Sequence, residues 1–414
     1  MSLLKAMNTG LSGLNANGRA MSMIGDNIAN VNTTGFKAGR LNFSDIIGNT
    51  MLGIGDGVGS GSVQQLFDQG ALEATGQVTD MAITGGGFFV VSGEVDGKMA
   101  NFYSRAGEFA IDESGYVTSP AGLKLQGYQT DANGNVTSKV GDLKVGDLTA
   151  PPKASTGIEL ELNLDSSSEV LTAAWDPLDP TATSNYSTTT TVYDSLGNPI
   201  QVEMYYRKTA DNTWEYHALV DGADVQGGAA GVPEEITTGT LDFSTDGELT
   251  THTPGAMNFQ PLGATQPQDL EMAFDNTTQY SGANNQRRVS QDGYAAGDIR
   301  DLRINTDGEI VGVFSNGQEQ TLGQVAIAQF QAPQEMERIG GNLYRQTPSS
   351  GDPMLGMAGA GGRGSIVSGA LESSNVDLAH EFVKMIAAQR GYQANSKTIT
   401  TGDAMLQEVM NLKR

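Results

Sequence analysis

Chemistry in a chain begins with side chains that ligate metals, move protons or attack, and this sequence is poor in them. It holds three histidines, His217, His252 and His380, and no cysteine. The histidine separations match no metal-ligand spacing, and without cysteine neither disulfides nor thiolate metal sites can form. His380 stands one turn before Lys384 on the polar side of a helical pattern and reads as a solvated imidazole. Gly359-Ala360-Gly361-Gly362-Arg363-Gly364 fits the letters of the dinucleotide fingerprint. No strand leads into it and no helix opens on it, so it reads as a linker. Asp131, Asn133 and Asn135 begin like a calcium loop, but Gly134 is misplaced and the glutamate of the twelfth position is missing. A hairpin turn explains them better. Adjacent acids such as Glu234 and Glu235 are expected by chance in so acidic a segment. No nucleophile, base or metal constellation emerges, so neither catalysis nor a cofactor is expected.

The strongest pattern lies at the two ends. Leu378, Phe382, Met385, Gln389, Tyr392, Ser396, Ile399, Asp403, Leu406 and Met410 keep the 4-3 alternation of a helical seam. Ser374-Asn375-Val376-Asp377 offers a start signal, with a cap at Ser374 and a carboxylate three residues on. No proline follows, so one helix of about 50 Å can run to the terminus. At the other end Leu4, Met7, Leu11, Leu14, Gly18, Met21, Gly25 and Ile28 repeat the spacing. Gly18 and Gly25 let a second helix approach closely, at a cost in helix propensity. Two such seams call for partners. They pair with each other as a coiled coil or dock against neighbouring copies; two unrelated amphipathic helices on a local core is the plainer alternative.

The 414 residues suffice for two to four domains. Net charge is −24 and unevenly spread. Between Ala154 and Gln286 the only cations are Arg207 and Lys208, against 20 acids, whereas the first forty residues carry four cations and one acid. An acidic middle argues against nucleic acid as a partner and suits a solvated surface held at high local density. No stretch is long and apolar enough to insert in a membrane. The first residues lack the features of a cleavable signal peptide, so export, if it occurs, follows another route.

Along the chain, the Asn- and Gly-dense run from Asn27 to Lys37 ends the first helix. Gly48 to Gly61 reads as irregular. From Gly70 to about Ile327 short strands alternate with tight turns, marked by Asp112-Glu113-Ser114-Gly115, Asp246-Gly247 and Asp307-Gly308. Ser166 to Thr191 is loop-rich, and Met354 to Gly364 is a Gly-rich linker back to the last helix. The expected fold is a multidomain α+β chain: paired terminal helices, then two mainly β domains, the outer one inserted in the inner one. The expected divisions are 1–69 with 352–414, 70–146 with 287–351, and 147–286.

Two stretches carry a family resemblance. Asn27-Ile28-Ala29-Asn30-Val31-Asn32-Thr33-Thr34-Gly35-Phe36-Lys37 resembles the N-terminal signature of the bacterial flagellar rod and hook proteins. Glu372-Ser373-Ser374-Asn375-Val376-Asp377-Leu378, with Gln389-Arg390 and Asn395, resembles the C-terminal one, and Gly85-Gly86-Gly87-Phe88-Phe89 and Gly341-Asn342-Leu343-Tyr344 are also similar to family text. Within that family the length and large β insertion resemble those of hook subunits, with another axial subunit (distal rod or hook-associated) as the alternative. The resemblance implies a structural, non-enzymatic subunit forming a helical homopolymer, a curved tube that works as a universal joint. It also implies type III export to the cell exterior and contacts with rod proteins, hook-associated proteins, the hook cap and the export apparatus. From the residues alone, a secreted β-rich oligomer with a binding role for its middle also stays open.

Overall fold

The computed structural model describes residues 2–46, 55–131, 134–146 and 148–412. Two compact units result: Met1–Asp147 with Asp301–Val313 and Glu319–Arg414, and Leu148–Arg300 with Phe314–Gln318.

The first unit contains both long helices, α1 (Ser2–Ala29) and α2 (Leu378–Leu412). α1 ends where the Asn30 side chain turns back to the Asp26 carbonyl, 2.9 Å away. α2 starts at Asp377, whose Oδ1 accepts from the Ala379 and His380 amides at 2.9 and 3.3 Å. The cap therefore falls three residues after the expected Ser374. Asn375 explains the delay: its side chain bonds the Ala38 amide and the Leu66 carbonyl, which keeps that stretch extended.

The helices run antiparallel. Gly10 lies against Ile399, Gly13 against Asn395 and Asn17 against Gly391, and Asn27 bonds Glu381 at 3.1 Å. The buried stripe of α1 is Gly10, Gly13, Ala16, Ala20, Ile24 and Asn27. On α2 the stripe shares Met385, Tyr392, Ile399 and Leu406 with the expected seam. It alternates them with Glu381, Ala388, Asn395 and Gly402 instead of Phe382, Gln389, Ser396 and Asp403. The seam is thus rotated by one residue toward the small side chains. Close approach is the reason: a Cβ on Gly13 would stand 2.7 Å from the Asn395 amide nitrogen, and only small residues admit such packing.

Strands Gly39–Ile46 and Gly57–Gln65 pair as a hairpin that rests on α1 through the Ser12 hydroxyl and a Lys5–Asp56 ion pair of 2.8 Å. The stretch expected to be irregular thus ends in a strand; its residues 48–54 lie outside the described ones. Beyond the hairpin, strands from both halves of the chain share one sheet, in the order Glu309–Phe314, Glu319–Val325, Lys124–Thr130, Phe88–Val95, Lys98–Ser104, Leu343–Arg345 and Glu337–Gly340. Phe88, Tyr103, Phe330 and Tyr344 form one of its cores. The chain then returns zipped to its own outgoing path: Ser365–Ser368 pairs Met81–Thr84, and Ala370–Glu372 pairs Leu72–Ala74. Met354–Gly364 is no free linker. Met354–Gly356 pairs Ile327–Gln329, and Arg363 folds back onto the carbonyls of Met354 and Leu355.

The second unit is all β. A five-stranded antiparallel sheet runs Tyr186–Tyr193, Pro199–Ala210, Thr213–Asp221, Pro233–Phe243 and Leu249–Pro254, beside a three-stranded one of Glu271–Ala273, Gly157–Asn163 and Asn285–Gln291. Ile200, Val202, Met204 and Tyr206 point into the core with Trp214, while Gln201 and Glu203 face water, the period of two that one covered face requires. Arg207 and Lys208 are both buried. Arg207 donates to the Ala173 carbonyl and Lys208 to that of Ser166 at 2.6 Å, so they strap the irregular 166–183 segment to the sheet. Trp175 of that segment stacks on His217, rings 4.0 Å apart. His217 also bonds Glu235, and His252 meets the Tyr216 hydroxyl at 2.9 Å. Both are therefore structural, and among the described residues no group of acids and histidines is arranged to hold a metal ion. Asp131 takes the amide of Asn135 in a turn; Asn133 lies outside the described residues.

Candidate assembly surface and its joint

The terminal motifs meet at one buried joint. Gly35 holds φ +67°, where a Cβ would lie 2.4 Å from the Ala106 amide; only glycine fits there. Its N–H donates to the Glu372 carbonyl at 2.7 Å. The Glu372 carboxylate then takes Lys37 Nζ at 2.6 Å, the Gly70 amide at 2.8 Å and Arg105 Nη1 at 3.4 Å. Lys37 and Glu372 are both fully buried. Burial holds the Lys37 and Arg105 pKa values below their ordinary ones, against the opposing pull of Glu372. Lys37 also donates to the Asp68 carbonyl and Arg105 to that of Gly85, each at 2.7 Å.

Around this ion cluster the motif asparagines bind backbone. Asn27 exchanges two bonds of 2.9 Å with Gly39. Asn375 is described above, and Asn342, which the sequence reading did not single out as a site, donates to the Thr34 carbonyl at 2.8 Å. Phe36 is buried beneath the Arg338 guanidinium, 4.8 Å from its ring. Asn30 closes the helix, Asp377 opens the other, Val376 is half-buried and Asn395 sits in the helix seam. Ala29, Gln389 and Arg390 are exposed and take no part in the joint. Lys37, Arg105 and Glu372 were missed as site residues. A lone lysine in the otherwise uncharged Asn27–Lys37 run was the available signal for Lys37; Glu372 and Arg105 had none.

The joint sets the helix pair at a fixed exit from the β sheet, and the pair is strongly apolar on its outside. Leu4 is 63% exposed, Leu11 51%, Phe382 50% and Met410 73%. Leu378 is 40% and Tyr392 36% exposed, whereas Met7, Leu14, Met21, Ile28, Met385, Ile399 and Leu406 are half-buried. Scattered exposed apolar residues are ordinary; here they lie close together on the two helices.

Family models match the chain in sequence order: the flagella basal body rod protein model over 7–37, the flagellar hook protein FlgE/F/G D1 domain over 82–162, the flagellar basal body protein FlaE D2 domain over 163–294, and the flagellar basal body rod FlgEFG protein C-terminal model over 367–412. The flagellar hook protein FlgE of Escherichia coli K12 is 36% identical, over 99% of this chain and all of that one. That of Salmonella typhimurium is 37% identical over 97% and 98%, and that of Borreliella burgdorferi 32% over 99% and 100%. The crystal structure of Helicobacter pylori FlgE2 aligns with a TM-score of 0.45 at 18% identity, over 73% of this chain and all of that one. Among the described residues no helix is long and apolar enough to cross a membrane. With relatives at this identity along its whole length, the chain belongs to the family of flagellar hook proteins.

Proposed function

We propose that this hook subunit polymerises through its helix pair into the stiff inner wall of a curved tube, which works as a universal joint between rod and filament. The observation that carries the reading is how densely large apolar residues are exposed on α1 and α2, from Leu4 and Leu11 to Phe382, Ile386 and Met410. In the polymer the helices of neighbouring copies pack as a coiled-coil layer, through Leu4, Leu11, Leu378, Phe382 and Met410 among others. The β sheet of the first unit forms the next layer, and the 147–286 segment the outermost. That order treats the chain as three bodies with the boundaries given above. Export runs through the flagellar type III apparatus, and the ends of the tube meet rod proteins, the hook cap and hook-associated proteins.

Deleting Leu378–Arg414 is the test. The shortened chain should keep the second unit's β circular dichroism and stay monomeric in sedimentation at concentrations and crowding where the full chain forms long polymers. Polymers from the shortened chain would overturn the reading.

A further inference from the structure

The two flanks of the helix pair differ in shape. On one flank the 39–46 strand stands off the helices and leaves a cavity of about 410 Å³, walled by Ala20, Met23 and Ile24 of α1, Leu41 and Phe43 of the strand, and Ala387 of α2. At its rim Lys384 meets Glu381 at 2.7 Å, and Arg40 donates to the neutral Gln64 side chain at 2.7 Å. Among the described residues the other flank has no strand over it. There Phe382 and Ile386 project, 50% and 52% exposed, with half-buried Leu14 and Met21 of α1 continuing the surface. At 3.6 residues per turn, Phe382 and Ile386 lie about 100° and 140° round α2 from Glu381 in one sense, and Lys384 and Ala387 about 60° and 120° in the other. The groove and the ridge thus occupy different faces of one rigid element.

We propose that the ridge at Phe382 and Ile386 of one copy enters the Ala20–Phe43–Ala387 groove of the next, a head-to-tail contact. The inference rests on polymerisation through the helix pair, proposed above, and names its contact. The occupant is a second copy because family membership makes this chain a building block of a homopolymer. The chain also presents both an apolar ridge and an apolar groove, whose walls of Ala20, Met23, Ile24, Leu41, Phe43 and Ala387 match the ridge in chemistry. A ridge meeting its own twin across a two-fold axis would close a dimer. A ridge meeting a groove on another face leaves a free groove and a free ridge after every addition, and so grows without limit.

Two full-length surface variants separate the possibilities. Phe382→Glu spoils the ridge and keeps the groove; Ala387→Trp fills the groove and keeps the ridge. Each should retain the helical circular dichroism of the parent and raise its critical concentration for polymerisation by more than about tenfold. Ile386→Glu should repeat the ridge result. Mixed, Phe382→Glu and Ala387→Trp should form a 1:1 heterodimer in analytical ultracentrifugation and stop there, since one good ridge and one good groove remain. Either variant polymerising like the parent, or a mixture that stays monomeric while the parent polymerises, overturns this contact and leaves assembly through the helices standing. A parent chain that forms no polymer overturns both.

Discussion

Lys37 and Glu372, 335 residues apart in sequence, meet at 2.6 Å with neither side chain exposed to water. Arg105 joins from a third segment. One carboxylate thus serves two cations, and it is the member that cannot be spared. Glu372→Gln leaves two buried cations uncompensated and should destabilise the first unit by about 3–5 kcal/mol. Lys37→Met leaves an Arg105–Glu372 pair and should cost clearly less. Two-wavelength thermal melts check this: the first unit's transition should fall, and the core around Trp214 should melt as before. Equal losses from the two variants would contradict the ranking.

The same joint sets a pH dependence. The Lys37 pKa is lowered from its ordinary 10.5, with burial the largest cause. In the window below 10.5 the folded chain therefore gives up a proton that the unfolded chain keeps. Stability from this group rises with pH through that window, because the surplus buried charge is relieved. Tyr344 opposes it: burial pushes its pKa up to about 12, so folding loses stability above the ordinary tyrosine range near 10. The difference between parent and Lys37→Met isolates the lysine. Denaturant midpoints from pH 7 to 10 should show the variant's deficit against the parent growing as pH rises; a constant difference would remove Lys37 as the source.

Leu11 and Ile399 belong to one 4-3 pattern yet face different surroundings. Leu11 is 51% exposed; Ile399 packs on Gly10, where an added Cβ would stand 3.2 Å from it. Leu11→Asp should leave α1 and α2 paired and impair polymerisation alone. Ile399→Asp puts a charge into the seam, costing several kcal/mol in a dry contact, and should free the distal turns of both helices. Hydrogen exchange of residues 4–14 reads the difference: unchanged in the first variant, faster in the second.

These two residues also show how far the sequence could be read. The period of 3.5 to 3.6 was visible, and so were the lengths and the pairing of the ends. The rotation of the seam was not. A large-residue stripe and a small-residue stripe share Met385, Tyr392 and Ile399, and hydrophobicity favours the large one. Backbone approach favours the small one, and leaves Leu11 and Phe382 outside. At the joint, Gly35 and the asparagines stood out as turn text, but their task of gripping the other end of the chain depends on Glu372 and Arg105 arriving from 267 residues apart. The strap in the second unit was equally hidden. Arg207 and Lys208 drew notice only as lone cations, and nothing local says that they bind carbonyls.

That strap gives a simple check. Arg207→Gln removes the donor to the Ala173 carbonyl, and Trp175 should then leave the His217 ring. Trp214 is fully buried and unaffected, so the fluorescence of the parent should shift to the red by the Trp175 share alone. The shift should vanish in a Trp175→Phe background. No shift in the parent background would show that stacking, not the guanidinium, holds the segment.

The last prediction concerns bending. Subunits on the inside and outside of a curved tube sit at different spacings. Close-packed apolar contacts lose their gains over small displacements, whereas wet polar contacts rearrange at low cost. The apolar outside of this chain is concentrated on its helices, and the segment between Ala154 and Gln286 carries 20 acids against two cations. Those two cations are buried on carbonyls of their own unit, and Arg207 reaches one acid, Glu215 at 3.8 Å, so the segment's acids stay in large excess. Repulsion between neighbouring second units should therefore help to set curvature, and salt should weaken it, since the screening length falls to about 10 Å at 0.1 M. Cutting at Ala154 and Gln286 would split the strand Asn285–Gln291, and the unit's limit at Arg300 falls inside the strand Gly297–Ile304, so the deletion should run from Leu148 to Ala296, closed by a short Gly/Ser linker. Electron micrographs of the resulting polymers should show straight tubes with preserved helical order at every salt concentration, while the parent's curvature changes between low and high salt. Tubes that stay curved without the second unit, with the parent's salt response intact, would move the origin of bending to the first unit.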